Sequence, residues 1–162
     1  MSLSLGKLKL DGKCHVMGIL NVTPDSFYDG GWHFDSDDAR KRIEEMIEEG
    51  AEIIDIGGES TRPGSDPVDA DEEIRRVVPV IEALRTETEL PISIDTSKAC
   101  VADAALKAGA NIVNDVTGFQ GDPDMAVVTA AHGAVAVLMH IRGTPKTMNV
   151  DTSYEDLVGE VC

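Results

Sequence analysis

A short apolar run that stops in a polar loop occurs five times in this chain, and helical patterns separate the runs. No other feature limits the fold as strongly. Residues 16–20 lead into Asn21-Val22-Thr23-Pro24-Asp25-Ser26-Phe27. Ile53-Ile54-Asp55-Ile56 leads into Gly57-Gly58-Glu59-Ser60-Thr61-Arg62-Pro63-Gly64-Ser65. Ile92-Ser93-Ile94 precedes Asp95-Thr96-Ser97, Ile112-Val113 precedes Asn114-Asp115, and residues 134–139 precede His140-Ile141-Arg142-Gly143-Thr144-Pro145. Between them, apolar residues recur at helical spacing: Ala39, Ile43, Met46 and Ile47; then Ile74, Val77, Val78, Ile81 and Leu84, with Pro79 as a possible kink; then Ala99, Val101, Ala102, Ala105, Leu106 and Ala108; then a weaker stretch over 125–132. Strands alternating with helices imply parallel pairing and right-handed crossovers. At roughly 30 residues per unit, eight units need about 250 residues, the size of a (β/α)8 TIM barrel. The expectation is an α/β domain over residues 1–162. It is either an open five-stranded sheet or about the first five βα units of such a barrel. Residues 3–10 alternate around Gly6 and predict an N-terminal β-hairpin that closes the bottom of the core.

Composition narrows the function classes. Thirty Asp and Glu against fourteen Lys and Arg give a net charge of -16. That balance argues against a nucleic-acid or anionic-membrane surface and fits a solvated helical exterior. Cys14, Cys100 and Cys162 form no C-x-x-C pair, which fits a reducing, cytoplasmic setting. No run is long enough to span a membrane. Glycine-rich nucleotide loops and nucleophile elbows are missing from the sequence, and His15, His33, His132 and His140 lack metal-ligand spacing. His132, ahead of Gly133, is best explained as a partner of a helix C-terminus.

What remains is the set at the strand ends: Asn21; Glu59, Ser60, Thr61 and Arg62; Asp95; Asn114 and Asp115; Met139 and His140. The carboxyl ends of strands are where α/β folds place their chemistry. Singly, an Asp or Asn after a strand more often caps a helix or makes an Asx turn. Capping does not require such a group after every strand, so the set points to a binding rim. A carboxylate beside a carboxamide can match a planar ring that shows N–H donors and a carbonyl. Arg62, Ser60, Thr61 and helix N-terminal amides suit a phosphate or pyrophosphate. Asn21 offers a hard oxygen that Mg2+ accepts when phosphates and water complete its shell.

These residues resemble dihydropteroate synthases. Asn21-Val22-Thr23-Pro24-Asp25-Ser26-Phe27 with Asp29-Gly30-Gly31 is similar to the first signature of that family, and Asp55-Ile56-Gly57-Gly58-Glu59-Ser60-Thr61-Arg62-Pro63-Gly64 to the second. Ile94-Asp95-Thr96, Asn114-Asp115-Val116 and Met139-His140 with Gly143-Thr144-Pro145 continue it in order. The resemblance implies a pterin-binding (β/α)8 barrel of folate biosynthesis. That enzyme condenses 6-hydroxymethyl-7,8-dihydropterin pyrophosphate with p-aminobenzoate and is inhibited by sulfonamides. Carried over by position, it makes Asn21 the Mg2+ ligand. Thr61, Asp95 and Asn114 become pterin contacts, with Ser60 and Met139 in the same substrate site. Phe27 and Pro63 become parts of the p-aminobenzoate pocket, and Arg62 and Asp29 supports of the closed loops and the charged transition state. It further implies small-molecule partners and a homodimer of the full-length form. The family's later motifs (a strand-end Asp with a glycine-rich loop, a Ser-x-Lys segment and a terminal Arg-x-His) have no counterpart here. The chain is therefore expected to be a partial synthase with little or no turnover alone. Two alternatives stand beside this: the pterin domain of a methyltetrahydrofolate-dependent corrinoid methyltransferase, and a non-catalytic half-barrel that binds pterin.

Overall fold

The computed structural model describes residues 3–5, 8–22, 28–29, 33–34, 36–60, 67–144 and 147–162. In chain order its elements are β1 (Leu3–Leu5), β2 (Leu8–Leu10), β3 (Met17–Asn21), β4 (Tyr28–Asp29), β5 (His33–Phe34), α1 (Ser36–Glu48), β6 (Ile53–Gly57), α2 (Ala70–Glu87), β7 (Ile92–Asp95), α3 (Ala99–Ala108), β8 (Ile112–Asp115), α4 (Met125–Ala131), β9 (Val135–Leu138) and α5 (Leu157–Val161). Every expected strand and helix is present with ends shifted by a few residues. Two strands were not anticipated: β4 and β5 pair as an antiparallel two-residue ladder within the first polar loop.

The main sheet runs β3-β6-β7-β8-β9, all parallel. Spatial order follows sequence order, so each right-handed crossover adds its strand on the same side. All the helices between these strands then fall on one face. This is the winding of a barrel and not that of a doubly wound sheet, which reverses direction part-way and carries helices on both faces. The choice left open by the sequence is thus decided for the (β/α)8 type, in its first five units.

Side chains alternate across the sheet. Leu20, Ile54, Ile56, Ile92, Ile94 and Val113 point to the helix layer and are 2% exposed or less. They meet Ile43 and Met46 of α1, Val77, Val80, Ile81 and Leu84 of α2, Val101, Ala102, Ala105 and Leu106 of α3, and Met125 of α4 in one cluster. Small residues on α3 let it lie close against its neighbours. Asp69 caps α2, its carboxylate accepting from the Asp71 amide at 3.0 Å. Pro79 sits inside α2 without ending it; it lies on the exposed side, where water can take the carbonyl its ring leaves unpaired. On the inner face, Ile53 and Ile112 pack with Met17, Val135, and Leu8 and Leu10 of the hairpin. The hairpin therefore closes the bottom, as expected.

Candidate active site

The ladder registers align the inner-face residues into rows. Ile19, Asp55, Ser93, Ile112 and Val135 form one. The next, at the carboxyl ends of the strands, is Asn21, Gly57, Asp95, Asn114 and Val137. Three of the polar groups expected at the rim thus stand side by side, and they do so because parallel pairing in this register leaves no other arrangement. A Cβ on Gly57 would lie 3.7 Å from both Asn21 Oδ1 and Asp95 Oδ2, so the glycine keeps the space between those two oxygens open.

Beneath the row lies Asp55, 2% exposed. Asn114 Nδ2 donates to its Oδ2 at 3.1 Å, which fixes which end of the carboxamide faces the cleft. Burial pushes the Asp55 carboxyl up; Ser93 and Asn114 oppose that shift, although the Ser93 hydroxyl makes no well-formed hydrogen bond. Asp95 is raised further, to about 7. Its burial contributes most, followed by the negative charges of Asp55, Glu73, Asp115 and Glu59. Asp55 Oδ1, Ser93 Oγ and Asp95 Oδ1 are all buried with no partner among the described residues. Buried oxygens cost free energy unless bonded. Three of them on one inner face suit a ligand rich in N–H donors.

Around the rim, the loops after β6, β7 and β8 are tied to neighbouring elements. Arg76 of α2 donates to the Gly58 carbonyl at 2.8 Å. Lys98, at the start of α3, bonds Glu73 at 2.6 Å and also Glu59. Asp122, in the loop after β8, accepts from the Ala99 amide at 2.8 Å and so caps α3. A Cβ on Gly58 would come within 2.8 Å of Val77 and 2.9 Å of Glu73, so only glycine lets this loop lie on α2.

Several sequence expectations need adjustment. Asp115 does not join the rim. It follows Asn114 by one residue and so points to the opposite, helix side, where it is fully buried. Its carboxylate accepts from the Thr117 amide and hydroxyl and the Phe119 amide. It thereby holds a turn in which Gly118 and Phe119 are both left-handed, at φ 61° and 67°. His140 is exposed, its Nε2 3.1 Å from the Tyr154 hydroxyl. Arg142 lies 3.9 Å over the Tyr154 ring. Met139 is exposed beside them, after β9. His132 ends α4 and reaches Asp103 of α3 at 2.8 Å. Ser60 closes the described part of the loop after β6. Thr61, Arg62, Pro63 and Phe27 lie outside the described residues, and of Asp29 only its backbone place in β4 is described.

Sequence reasoning missed Glu73 and Lys98. Glu73 follows Asp71 and Glu72 in an acidic first turn, which suggests solvent, yet it is fully buried. The available signal was its place on the apolar stripe, four residues before Val77. No cluster of three or more His, Cys, Asp or Glu among the described residues could hold a metal. Among the described residues the Asn21 amide oxygen is a hard donor that fits Mg2+ where phosphate and water oxygens complete the shell.

A family model described as pterin binding enzyme matches residues 17–162, nearly the whole chain. The chain belongs to the pterin binding enzymes. Within that family it is 54% identical over 149 residues to the dihydropteroate synthase of Bacillus subtilis, covering 92% of this chain and 50% of that protein. It is 52% identical over 149 residues to that of Synechocystis, covering 92% and 52%. Among solved structures, the Yersinia pestis dihydropteroate synthase in a sulfonamide complex superposes with a TM-score of 0.86 at 46% identity, over 99% of this chain and 58% of that one. The Burkholderia cenocepacia enzyme complexed with 7,8-dihydropteroate gives 0.81 at 44% identity, over 99% and 54%. The chain spans about half the length of the curated relatives it matches. No helix among the described residues is long and apolar enough to cross a membrane.

Proposed function

We propose that this pterin binding chain forms part of the active site of a dihydropteroate synthase. The reaction joins 6-hydroxymethyl-7,8-dihydropterin pyrophosphate to p-aminobenzoate. The observation that carries the reading is the row Asn21, Gly57, Asp95 and Asn114 above the buried Asp55. Asp95 accepts ring N–H groups, and Asn114, oriented by Asp55, meets the ring's mixed edge. A carboxyl that titrates near neutrality gains most from such donors, because they favour its ionised form.

In the reaction the methylene carbon–oxygen bond breaks and its electron pair leaves with pyrophosphate. The arylamine nitrogen of p-aminobenzoate then bonds to that carbon and gives up a proton. The acidic row lies where positive charge on the pterin and its methylene carbon is stabilised, so positioning and charge stabilisation account for rate without a nucleophile–base pair. Asn21 would hold Mg2+, which when bound offsets the charge of the departing pyrophosphate. Thr61, Ser60 and Met139 complete the substrate site, and Phe27 and Pro63 the p-aminobenzoate pocket, where sulfonamides compete. Arg62 and Asp29 support the charged transition state. The same reading places the protein in the cytoplasm, where Cys14, Cys100 and Cys162 stay free thiols, and makes its full-length form a homodimer.

The test is calorimetric binding of 6-hydroxymethylpterin, followed by p-aminobenzoate-dependent release of pyrophosphate. Binding that weakens about tenfold or more in Asp95→Asn, or roughly 1.4 kcal/mol, is expected. No pterin binding, or methyl transfer from methyltetrahydrofolate with no use of the pterin pyrophosphate, would overturn the assignment.

A further inference from the structure

The Lys98 ammonium joins three separate elements behind the rim. It sits three residues after Asp95, at the start of α3, and takes Glu59 from the loop after β6 and Glu73 from α2. Glu73 is fully buried, with its second oxygen unpartnered, and its side chain reaches no other cation among the ion pairs of the described residues. A buried carboxylate held by one cation is strongly destabilised when that cation is removed. Burial works against the charge on Lys98, but the hydrogen bonds and charges of Glu59 and Glu73 outweigh it and raise its pKa above the usual lysine value. The ammonium is therefore a fixed charge and not a proton carrier.

We propose that Lys98 is a positioning residue for pterin binding: by bridging Glu59 and Glu73 it locks the Gly57–Gly58–Glu59 backbone against the loop that follows Asp95. The inference rests on the pterin-binding reading of the rim. Gly57 is the register partner of both Asn21 and Asp95, so a shift of this backbone changes the spacing between those two oxygens directly. Arg76 holds the Gly58 carbonyl from the other side but touches neither Glu59 nor Asp95 among its described bonds. The lock also sets charge. By formal charge, Glu59, Glu73 and Lys98 together carry one net negative charge. Asp55 from β6, Asp115 from β8, Glu59 and Glu73 all bear on Asp95.

Three variants test this: Lys98→Met, Lys98→Arg and Glu59→Gln. Each is followed by thermal melting, by calorimetric binding of 6-hydroxymethylpterin, and by carbon-13 NMR titration of the Asp95 carboxyl. Lys98→Met is expected to weaken pterin binding about tenfold or more, and Lys98→Arg to bring it back to within about threefold. A lowered melting temperature with unchanged affinity of the folded protein would make Lys98 merely structural and overturn the proposal. Should Lys98→Met fail to fold, Glu59→Gln still decides. It removes the partly exposed arm of the bridge and leaves the Lys98–Glu73 pair in place; it is expected to weaken pterin binding several-fold and to move the Asp95 midpoint below about 7, whereas unchanged affinity of the folded variant would overturn the proposal. That titration needs no ligand. If the unsubstituted protein binds no pterin, the function assigned to the rim fails separately.

Discussion

The two faces of the main sheet are built from the same five strands and obey opposite rules. The helix face is sealed: Ile54, Ile56, Ile92 and Ile94 show no exposed surface. On the inner face Ile19 is 61% exposed and Val137 41%, and the polar groups Asp55, Ser93, Asp95 and Asn114 take positions that on the other face are aliphatic. The helix face is held by burial of apolar area, which is non-directional and tolerant of detail. The inner face is held by registers and by a few directional bonds. It keeps acceptors unpaired that the helix face could not tolerate. The difference shows that stability and function in this sheet are separated by side-chain alternation, one residue apart along each strand.

The largest test of that comparison is Ile94→Ala on the sealed face. Loss of about 2–5 kcal/mol is expected in urea unfolding, since the helices above cannot collapse fully into the gap. A loss near zero would mean that the helix layer carries little of the fold.

Asp95→Asn should act in the opposite direction. The folded-state pKa of Asp95 is about 7 against an ordinary 3.8, so the folded protein holds this proton more tightly than the unfolded chain does. The unfolded chain loses its proton first as pH rises. The group's penalty therefore grows between about pH 4 and 7 and is complete above that. The asparagine variant is expected to be about 2 kcal/mol more stable at pH 8, a value discounted for partial exposure, with the gain vanishing near pH 4. Paired melts at the two pH values check it; a gain independent of pH would remove ionisation as the cause.

Gly58→Ala puts a methyl within 2.8 Å of Val77 and 2.9 Å of Glu73. A cost of about 1–3 kcal/mol is expected from the forced shift, together with weaker pterin binding, because the same backbone carries Glu59. Ile19→Ala, on the open face, should change stability by less than about 0.5 kcal/mol. A cost as large as that of Ile94→Ala would show that Ile19 is covered in the folded protein in solution.

Much of this was legible in the sequence. Five apolar runs at regular spacing, each followed by a helical stripe, named the strands and helices, and the residues at the run ends named Asn21, Asp95 and Asn114 as rim groups. Asp115 was misplaced although the period-2 rule already forbids it the face taken by Asn114; its real work, holding the left-handed turn at Gly118 and Phe119, depends on amides that follow it. The β4–β5 ladder, only two residues per strand, is too short to leave a periodic signal.

By itself the sequence determined the alternation of elements and the family, because periodicity and motif are local properties of the chain. Only the tertiary structure decided that Gly57 stands between Asn21 and Asp95, that the Asp95 carboxyl is pushed to about 7, and that a glutamate in an acidic first turn is buried on a lysine twenty-five residues away. Those facts depend on which strand lies beside which and in what register. They also depend on how much water each charge keeps, and no local pattern contains either.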